Sequence, residues 1–361
     1  MIKNGKDAPV RVMVVDDSRS NRETIKTLLS EERGVVVVAE AADGEEALKE
    51  ANRHLPDVIT LDLQMPKMDG FTFLRILMGH RPTPVIVVSS YSDQHSVFRA
   101  LEFGALDFVA KPSRSAAGLE IIRQELLAKL MLVRRLQVSA LTERRQVVPA
   151  GTEPKPQIEY SIDDNQPAGL VVIGASTGGP SAVHTLLAGL PPDLPLSYLV
   201  AQHMPEQFTG TFAERLNGQI AMSVVEAVDG LRLAAGQVVI AKGGHHLQVQ
   251  RAEGYLCVDL TSAAEGSRHV PSIDTLFFSA AKVMGKACLG IILTGMGDDG
   301  AQGVRSLKKA GGSTLAESKE TAIIYGMPYE AKATGAVDKS CRLTDLASEV
   351  AKFGQAFLRA E

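Results

Sequence analysis

Short apolar runs punctuate the chain at residues 12–15, 58–61, 85–88 and 108–110, and again at 170–173, 196–201 and 287–293, each closed by a polar or glycine-rich turn. Short continuous runs without period-two alternation suit strands buried on both faces, and the segments between them carry helical apolar spacing. The pattern predicts an α/β chain with two doubly wound parallel-sheet domains. In such sheets ligands bind outside the carboxyl ends of the strands, so the residues that follow each run are the ones to read for chemistry. Residues 119–141 place apolar residues at helical spacing with Arg and Lys between them, which predicts that the last helix of the first domain extends into the connection. That helix is read as packing on its own sheet rather than as a partner face. Residues 146–167 break the pattern with Pro149, Gly151, Pro154, Pro156, Asp163, Asp164 and Pro167, and read as an exposed linker. The predicted organisation is an extension over 1–10, a first domain over 11–133, a connection over 134–167 and a second domain over 168–361.

In the second domain, Gly174-Ala175-Ser176-Thr177-Gly178-Gly179 follows an apolar run and precedes Pro180, which suits the first turn of a helix. Glycines around Ser176 permit a sharp turn that lifts a hydroxyl clear of the strand end, where a nucleophile belongs. The competing reading is a serine that only caps the helix. Two further strand ends favour a site: 196–201 runs into Gln202-His203-Met204-Pro205, and 287–293 runs into Thr294-Gly295-Met296-Gly297-Asp298-Asp299-Gly300. A serine needs a base for its proton, and an imidazole needs a carboxylate to fix its tautomer. Ser176, His203 and Asp299 supply that set, in an order that differs from the Ser, Asp, His order of the α/β-hydrolases. Backbone N–H groups after Ser176 and at the turn near Met296 are candidate oxyanion donors.

Gly295-x-Gly297-x-x-Gly300, with Glu317 after the next apolar segment, also fits a dinucleotide fingerprint. Electrostatics argues against that rival, because Asp298 and Asp299 would stand where a pyrophosphate must bind. His245-His246, after Gly243-Gly244, lacks metal-ligand spacing and reads as a turn.

The first domain places Asp16-Asp17 after its first run and Asp62 after the run at 58–61. Three carboxylates at strand ends make an oxygen-rich site that suits Mg²⁺. Ser89 follows the run at 85–88, and Lys111 follows 108–110. Acids after strands one and three, a hydroxyl after four and a lysine after five of a five-fold βα alternation point to a phosphoryl-accepting aspartate.

Through Asp16-Asp17, Asp62-Leu63-Gln64-Met65-Pro66-Lys67-Met68-Asp69-Gly70, Ser89 and Phe108-Val109-Ala110-Lys111-Pro112, residues 11 to about 130 resemble a response-regulator receiver domain, whose fold is flavodoxin-like. Residues 168–358 resemble the catalytic domain of the chemotaxis protein-glutamate methylesterase family. The motifs are Gly174-Ala-Ser-Thr-Gly-Gly, Gln202-His-Met-Pro, Pro271-Ser272-Ile273-Asp274, Leu293-Thr-Gly-Met-Gly-Asp-Asp-Gly and Gly326-Met327-Pro328. The resemblance implies that Asp62 takes a phosphoryl group from a sensor histidine kinase, with Asp16, Asp17, Asp62 and the Gln64 carbonyl around Mg²⁺ and with Ser89 and Lys111 on the phosphoryl oxygens. It implies that Ser176 attacks methylated glutamates on chemoreceptor cytoplasmic domains, that His203 is base and acid, and that Asp299 orients His203. Thr177 and the Met296 N–H are similar to family positions near the oxyanion. The resemblance further implies methanol as the product, no cofactor for the hydrolysis, and deamidation of receptor glutamines as well. Two departures stand out. Val270 lies between His269 and Pro271 where the family commonly has an arginine, which bears on substrate recognition, and Asp298 replaces a frequent asparagine beside Asp299.

Composition narrows the classes. With 361 residues, 45% hydrophobic and 22% charged, the chain is globular with room for two cores. A net charge of −4 leaves no footprint for nucleic acid. Cys257, Cys288 and Cys341 are odd in number and widely spaced, against a disulfide framework or a zinc site. Residues 1–10 lack the apolar core of a secretory signal and no run reaches the ~20 residues of a spanning helix, so the expected place is the cytoplasm, without membrane insertion. The alternative from a different class is a phosphorylation-dependent binding adaptor whose hydrolase half is silent.

Overall fold

The computed structural model describes residues 8–90, 93–111, 116–136, 165–264 and 266–358. Residues 1–7 of the predicted extension and most of the linker, with Pro112, lie outside the described residues, and Val10, the last residue of that extension, opens the first strand. The chain divides into two compact units, Met1–Arg145 and Gln146–Glu361.

The first unit alternates β1 (Val10–Val15), α1 (Arg19–Ser30), β2 (Val35–Ala41), α2 (Gly44–His54), β3 (Val58–Leu61), α3 (Gly70–His80), β4 (Val85–Ser89), α4 (Gln94–Glu102), β5 (Asp107–Ala110) and α5 (Ala116–Leu132). The strands form one parallel sheet in the order β2-β1-β3-β4-β5. Helices begin at polar caps: Ser18, Asp43 and Asp69 accept the backbone N–H of Asn21, Glu46 and Thr72. The chain reverses direction across the sheet between β1 and β3, whose last paired residues are Val15 and Leu61. Asp16 and Asp62 therefore leave the sheet side by side at the switch point. The last helix departs from expectation. It stops at Leu132 and tightens into a 3₁₀ turn over Val133–Arg135, and residues 137–141 of the expected extension lie outside the described residues. Ile122, Leu126, Leu130 and Val133 lie buried against Val10, Val12, Val88 and Val109, so its apolar face is spent on its own sheet.

The second unit runs β6 (Gly169–Ala175), α6 (Gly179–Ala188), β7 (Leu196–Gln202), α7 (Glu206–Gln219), β8 (Ser223–Glu226), β9 (Gln237–Ile240), β10 (His245–Ala252), β11 (Tyr255–Ser262), α8 (Ile273–Met284), β12 (Cys288–Ile292), α9 (Ala301–Lys309), β13 (Ser313–Glu317), α10 (Met327–Ala333), β14 (Lys339–Cys341) and α11 (Leu343–Leu358). Seven strands make a parallel sheet in the order β14-β13-β12-β6-β7-β9-β8. Every residue of β6, β7 and β12 is buried, as strands covered on both faces require. These three are neighbours and end level with one another: Ile292 pairs with Gly174, and Ala175 with Gln202. β10 and β11 form a separate antiparallel hairpin whose Leu247, Val249, Leu256 and Val258 join the core with Ile273 and Phe277 of α8. This corrects the reading of His245-His246 as a turn. Gly243 and Gly244 make the turn, Gly244 at φ +75°, and the two histidines open β10.

Candidate active site

Ser176 follows β6 directly. Its N–H donates to the Thr294 carbonyl at 3.0 Å, and its own carbonyl accepts from Gly179 N–H at 2.6 Å and from Gln202 Nε2 at 3.0 Å. The turn depends on glycine at defined points. Gly178 takes φ +72°, and a Cβ on Gly179 would meet Gln202 Oε1 at 2.0 Å. Gly295 lets the opposite loop press on Ser176, since a Cβ there would lie 2.7 Å from the Ser176 Cβ and 2.3 Å from the Met327 sulfur.

His203 follows β7, and its Nδ1 lies 3.3 Å from Ser176 Oγ while its Nε2 lies 2.8 Å from Asp299 Oδ2. Asp299 is buried and also accepts the N–H groups of Ile273 and Asp274 at 2.8 and 2.9 Å and the Ser272 hydroxyl at 3.2 Å. Burial alone would raise its pKa. His203 and the two backbone donors outweigh that and draw it down to about 2. A carboxylate this acidic only accepts hydrogen bonds, so Nε2 of His203 carries the hydrogen and Nδ1 turns its lone pair to Ser176 Oγ. The arrangement can move a proton from the serine to an imidazole whose positive charge is met by a fixed anion.

The donors on Asp299 were not foreseen from sequence. They are the first turn of α8, whose N-cap is Ser272, and the one available signal was a capping serine ahead of buried Ile273, Leu276 and Phe277. Asp274 returns the favour by accepting Gly300 and Gly303 N–H at 2.9 and 2.6 Å, where α9 begins. Gln202 is a second unforeseen member, because its side-chain amide bridges the carbonyls of Ser176 and His203. His269 lies with its ring parallel to that of His203. Thr177, next to Ser176 in sequence, is buried, and Met296, next to Gly295 in sequence, is exposed. Asp298 points away from the proton path, exposed and 3.5 Å from the Arg268 guanidinium. Glu317, the acid of the dinucleotide alternative, is buried and accepts the Thr294 N–H at 2.9 Å. It holds the active-site loop and presents nothing to a ribose.

In the first unit, Asp16, Asp17 and Asp62 bring carboxylate oxygens within 4.8 Å of one another. Asp16 and Asp62 are buried, while Asp17 is exposed. Lys111 Nζ sits 2.6 Å from Asp62 and 3.2 Å from Asp16, and the Lys111 backbone N–H donates to the Ser89 carbonyl at 2.7 Å. Burial pushes Asp62 above the ordinary carboxylate range against the pull of Lys111, with Asp16 adding repulsion. Burial also opposes the charge on Lys111, but the two aspartates outweigh it and raise its pKa. Gln64 N–H reaches Asp62 at 3.4 Å. A set of three hard oxygen donors, its charge offset in part by Lys111, fits a small divalent cation.

A parallel sheet with an acid cluster and lysine at its switch point, carried by the same chain as a parallel sheet with a serine, histidine and aspartate in line, defines a receiver-bearing α/β hydrolase. The family model for the CheB methylesterase matches residues 171–350, and that for the response regulator receiver domain matches residues 12–123. A protein-glutamate methylesterase/protein-glutamine glutaminase of Anaeromyxobacter dehalogenans is 50% identical over 359 residues, covering 98% of this chain and 99% of its own length. One from Geobacter sulfurreducens is 43% identical over 94% of this chain and 96% of its own. The crystal structure of the Thermotoga maritima CheB methylesterase catalytic domain aligns with a TM-score of 0.50 at 34% identity, covering 51% of this chain and 97% of that one. The chain belongs to the protein-glutamate methylesterase/protein-glutamine glutaminase family. Among the described residues, no helix is long and apolar enough to cross a membrane.

Proposed function

We propose that this chain hydrolyses glutamate methyl esters, and deamidates glutamines, on the cytoplasmic domains of chemoreceptors, under the control of a phosphoryl group received by Asp62 from a sensor histidine kinase. The observation that carries the reading is the unbroken line from Ser176 Oγ through His203 to a carboxylate held ionised by a helix terminus. Ser176 Oγ attacks the γ-carbonyl and gives its proton to His203 Nδ1. His203 returns that proton to the departing methoxide, releasing methanol and leaving the glutamyl group on the serine. Water, deprotonated by the same nitrogen, then frees the carboxylate and restores the hydroxyl. With a glutamine the leaving group is ammonia and the remaining steps are unchanged. Backbone N–H groups of Thr177 and Met296 are the assigned oxyanion donors.

In the receiver, Asp16, Asp17, Asp62 and the Gln64 carbonyl would hold Mg²⁺, which neutralises phosphoryl oxygens during transfer. Lys111 and Ser89 would receive those oxygens on the other side. The receiver takes residues 11–133, and the hydrolase 168–361.

The test is methanol release from methylated receptor fragments, with and without a small-molecule phosphodonor. Ser176→Ala should lose turnover by roughly 10⁶-fold, as expected when the nucleophile of a triad is removed. Activity within about tenfold of the parent would overturn the serine mechanism. A parent chain that binds receptor but releases no methanol and resists serine-reactive phosphonates would be a silent adaptor.

A further inference from the structure

His269 is half-buried and has no place in the proton path just described. Its ring lies flat on that of His203, with centroids 4.5 Å apart and planes within 3° of parallel. The two hydrogen-bonding contacts of His203 lie at the edge of its ring. The bond to Asp299 is firm at 2.8 Å, while the approach of Nδ1 to Ser176 Oγ is loose at 3.3 Å. Two contacts in the plane of a ring do not oppose its tilting out of that plane. A parallel ring against its face does.

The Nε2 atom of His269 is buried and has no hydrogen-bond partner among the described residues. No hydrogen bond at that atom accounts for where the ring sits. Burial, and then the neighbouring His203, disfavour a charge on His269, with Arg268 acting in the same sense and Asp299 and Asp298 against it. An uncharged ring face is what a histidine that becomes cationic during the reaction needs beside it.

We propose that His269 is a positioning residue, whose ring face keeps the His203 imidazole in the plane that joins Ser176 to Asp299. The inference rests on the proposed roles of Ser176 and His203. It acts on turnover rather than on substrate capture, because it governs the aim of the base and touches no step of docking.

The test compares His269→Ala, which removes the face, with His269→Phe, which keeps a flat ring and discards both nitrogens. In the full chain, kcat and KM for methanol release are measured beside the second-order rate at which a serine-reactive phosphonate labels Ser176, with thermal melting as the check on folding. The alanine variant should lower both kcat and labelling by roughly 10- to 100-fold, with KM within about threefold, as a misaimed catalytic group does. Phenylalanine should restore both to within about fivefold of the parent. An alanine variant labelled as fast as the parent overturns the proposal, and so does a folded phenylalanine variant no better than alanine. Should alanine fail to fold, His269→Leu, which keeps apolar volume without a flat ring, takes its place with the same expected loss. The labelling rates decide the matter even where the parent releases no methanol, a result that overturns the substrate reading alone.

Discussion

Asp299 and Asp298 are neighbours in sequence with opposite surroundings, one buried under His203 and the first turn of α8, the other exposed beside Arg268. Asp299→Asn should therefore cost about 10⁴-fold in turnover, because an amide in that place favours the wrong tautomer of His203. Asp298→Asn should stay near the parent, and methanol-release kinetics of the pair check both. Folding also reads the difference. The folded-state pKa of Asp299, about 2, lies below the ordinary 3.8, so its contribution to stability is present above the unfolded value and is lost as pH falls toward the folded one. A shift of that size corresponds to about 2 kcal/mol, so denaturant midpoints of parent and Asp299→Asn should converge between about pH 4 and 2. A gap that held constant to pH 2 would place the carboxylate's contribution elsewhere.

Helices α8 and α9 exchange aspartates, since Asp299 ahead of α9 takes N–H groups from the start of α8 while Asp274 in α8 takes those of Gly300 and Gly303. Asp274→Ala strips the start of α9 of its acceptor and should cost about 1–3 kcal/mol in stability. It should also lower kcat, because the loop it releases carries Asp299. A denaturant melt with parallel kinetics tests the coupling, and lost stability with unchanged kcat would refute it. Little of this exchange could be read ahead of the structure. Apolar runs buried on both faces announced β6, β7 and β12, and hence the turns after them, because burial leaves its mark on composition. A cap across two distant helices leaves none, as each aspartate looks like an ordinary polar residue beside its own helix. The stack of His269 on His203 has no spacing signature either. β10 and β11 escaped notice because neither is an unbroken buried run, only two residues of β10 and three of β11 being fully buried, and α5 ends sooner than its apolar spacing suggests.

For the molecule as a whole, a receiver can govern a hydrolase only if its two phosphorylation states affect that hydrolase unequally. A phosphodonor with Mg²⁺ should raise methanol release by the full chain and leave Asp62→Asn unmoved. Coupling of about 1–3 kcal/mol corresponds to a change of roughly 5- to 150-fold. Residues 165–361, cut to keep the Asn165 hydrogen bonds to Ala235, should be more active alone than the unphosphorylated full chain. A less active fragment would make the receiver an activator that the hydrolase needs. The strand order of the second sheet bears on how activity first arises. Ser176 and His203 are 27 residues apart, but His203 and Asp299 are separated by 96, and β12 reaches β6 only after the hairpin and α8 lie between them in the chain. Closing so long a loop is slow compared with forming local helices and hairpins. During refolding from denaturant, capture of the nucleophile by a phosphonate should therefore lag well behind the return of helical circular dichroism, so that chemical competence is among the last properties the chain acquires.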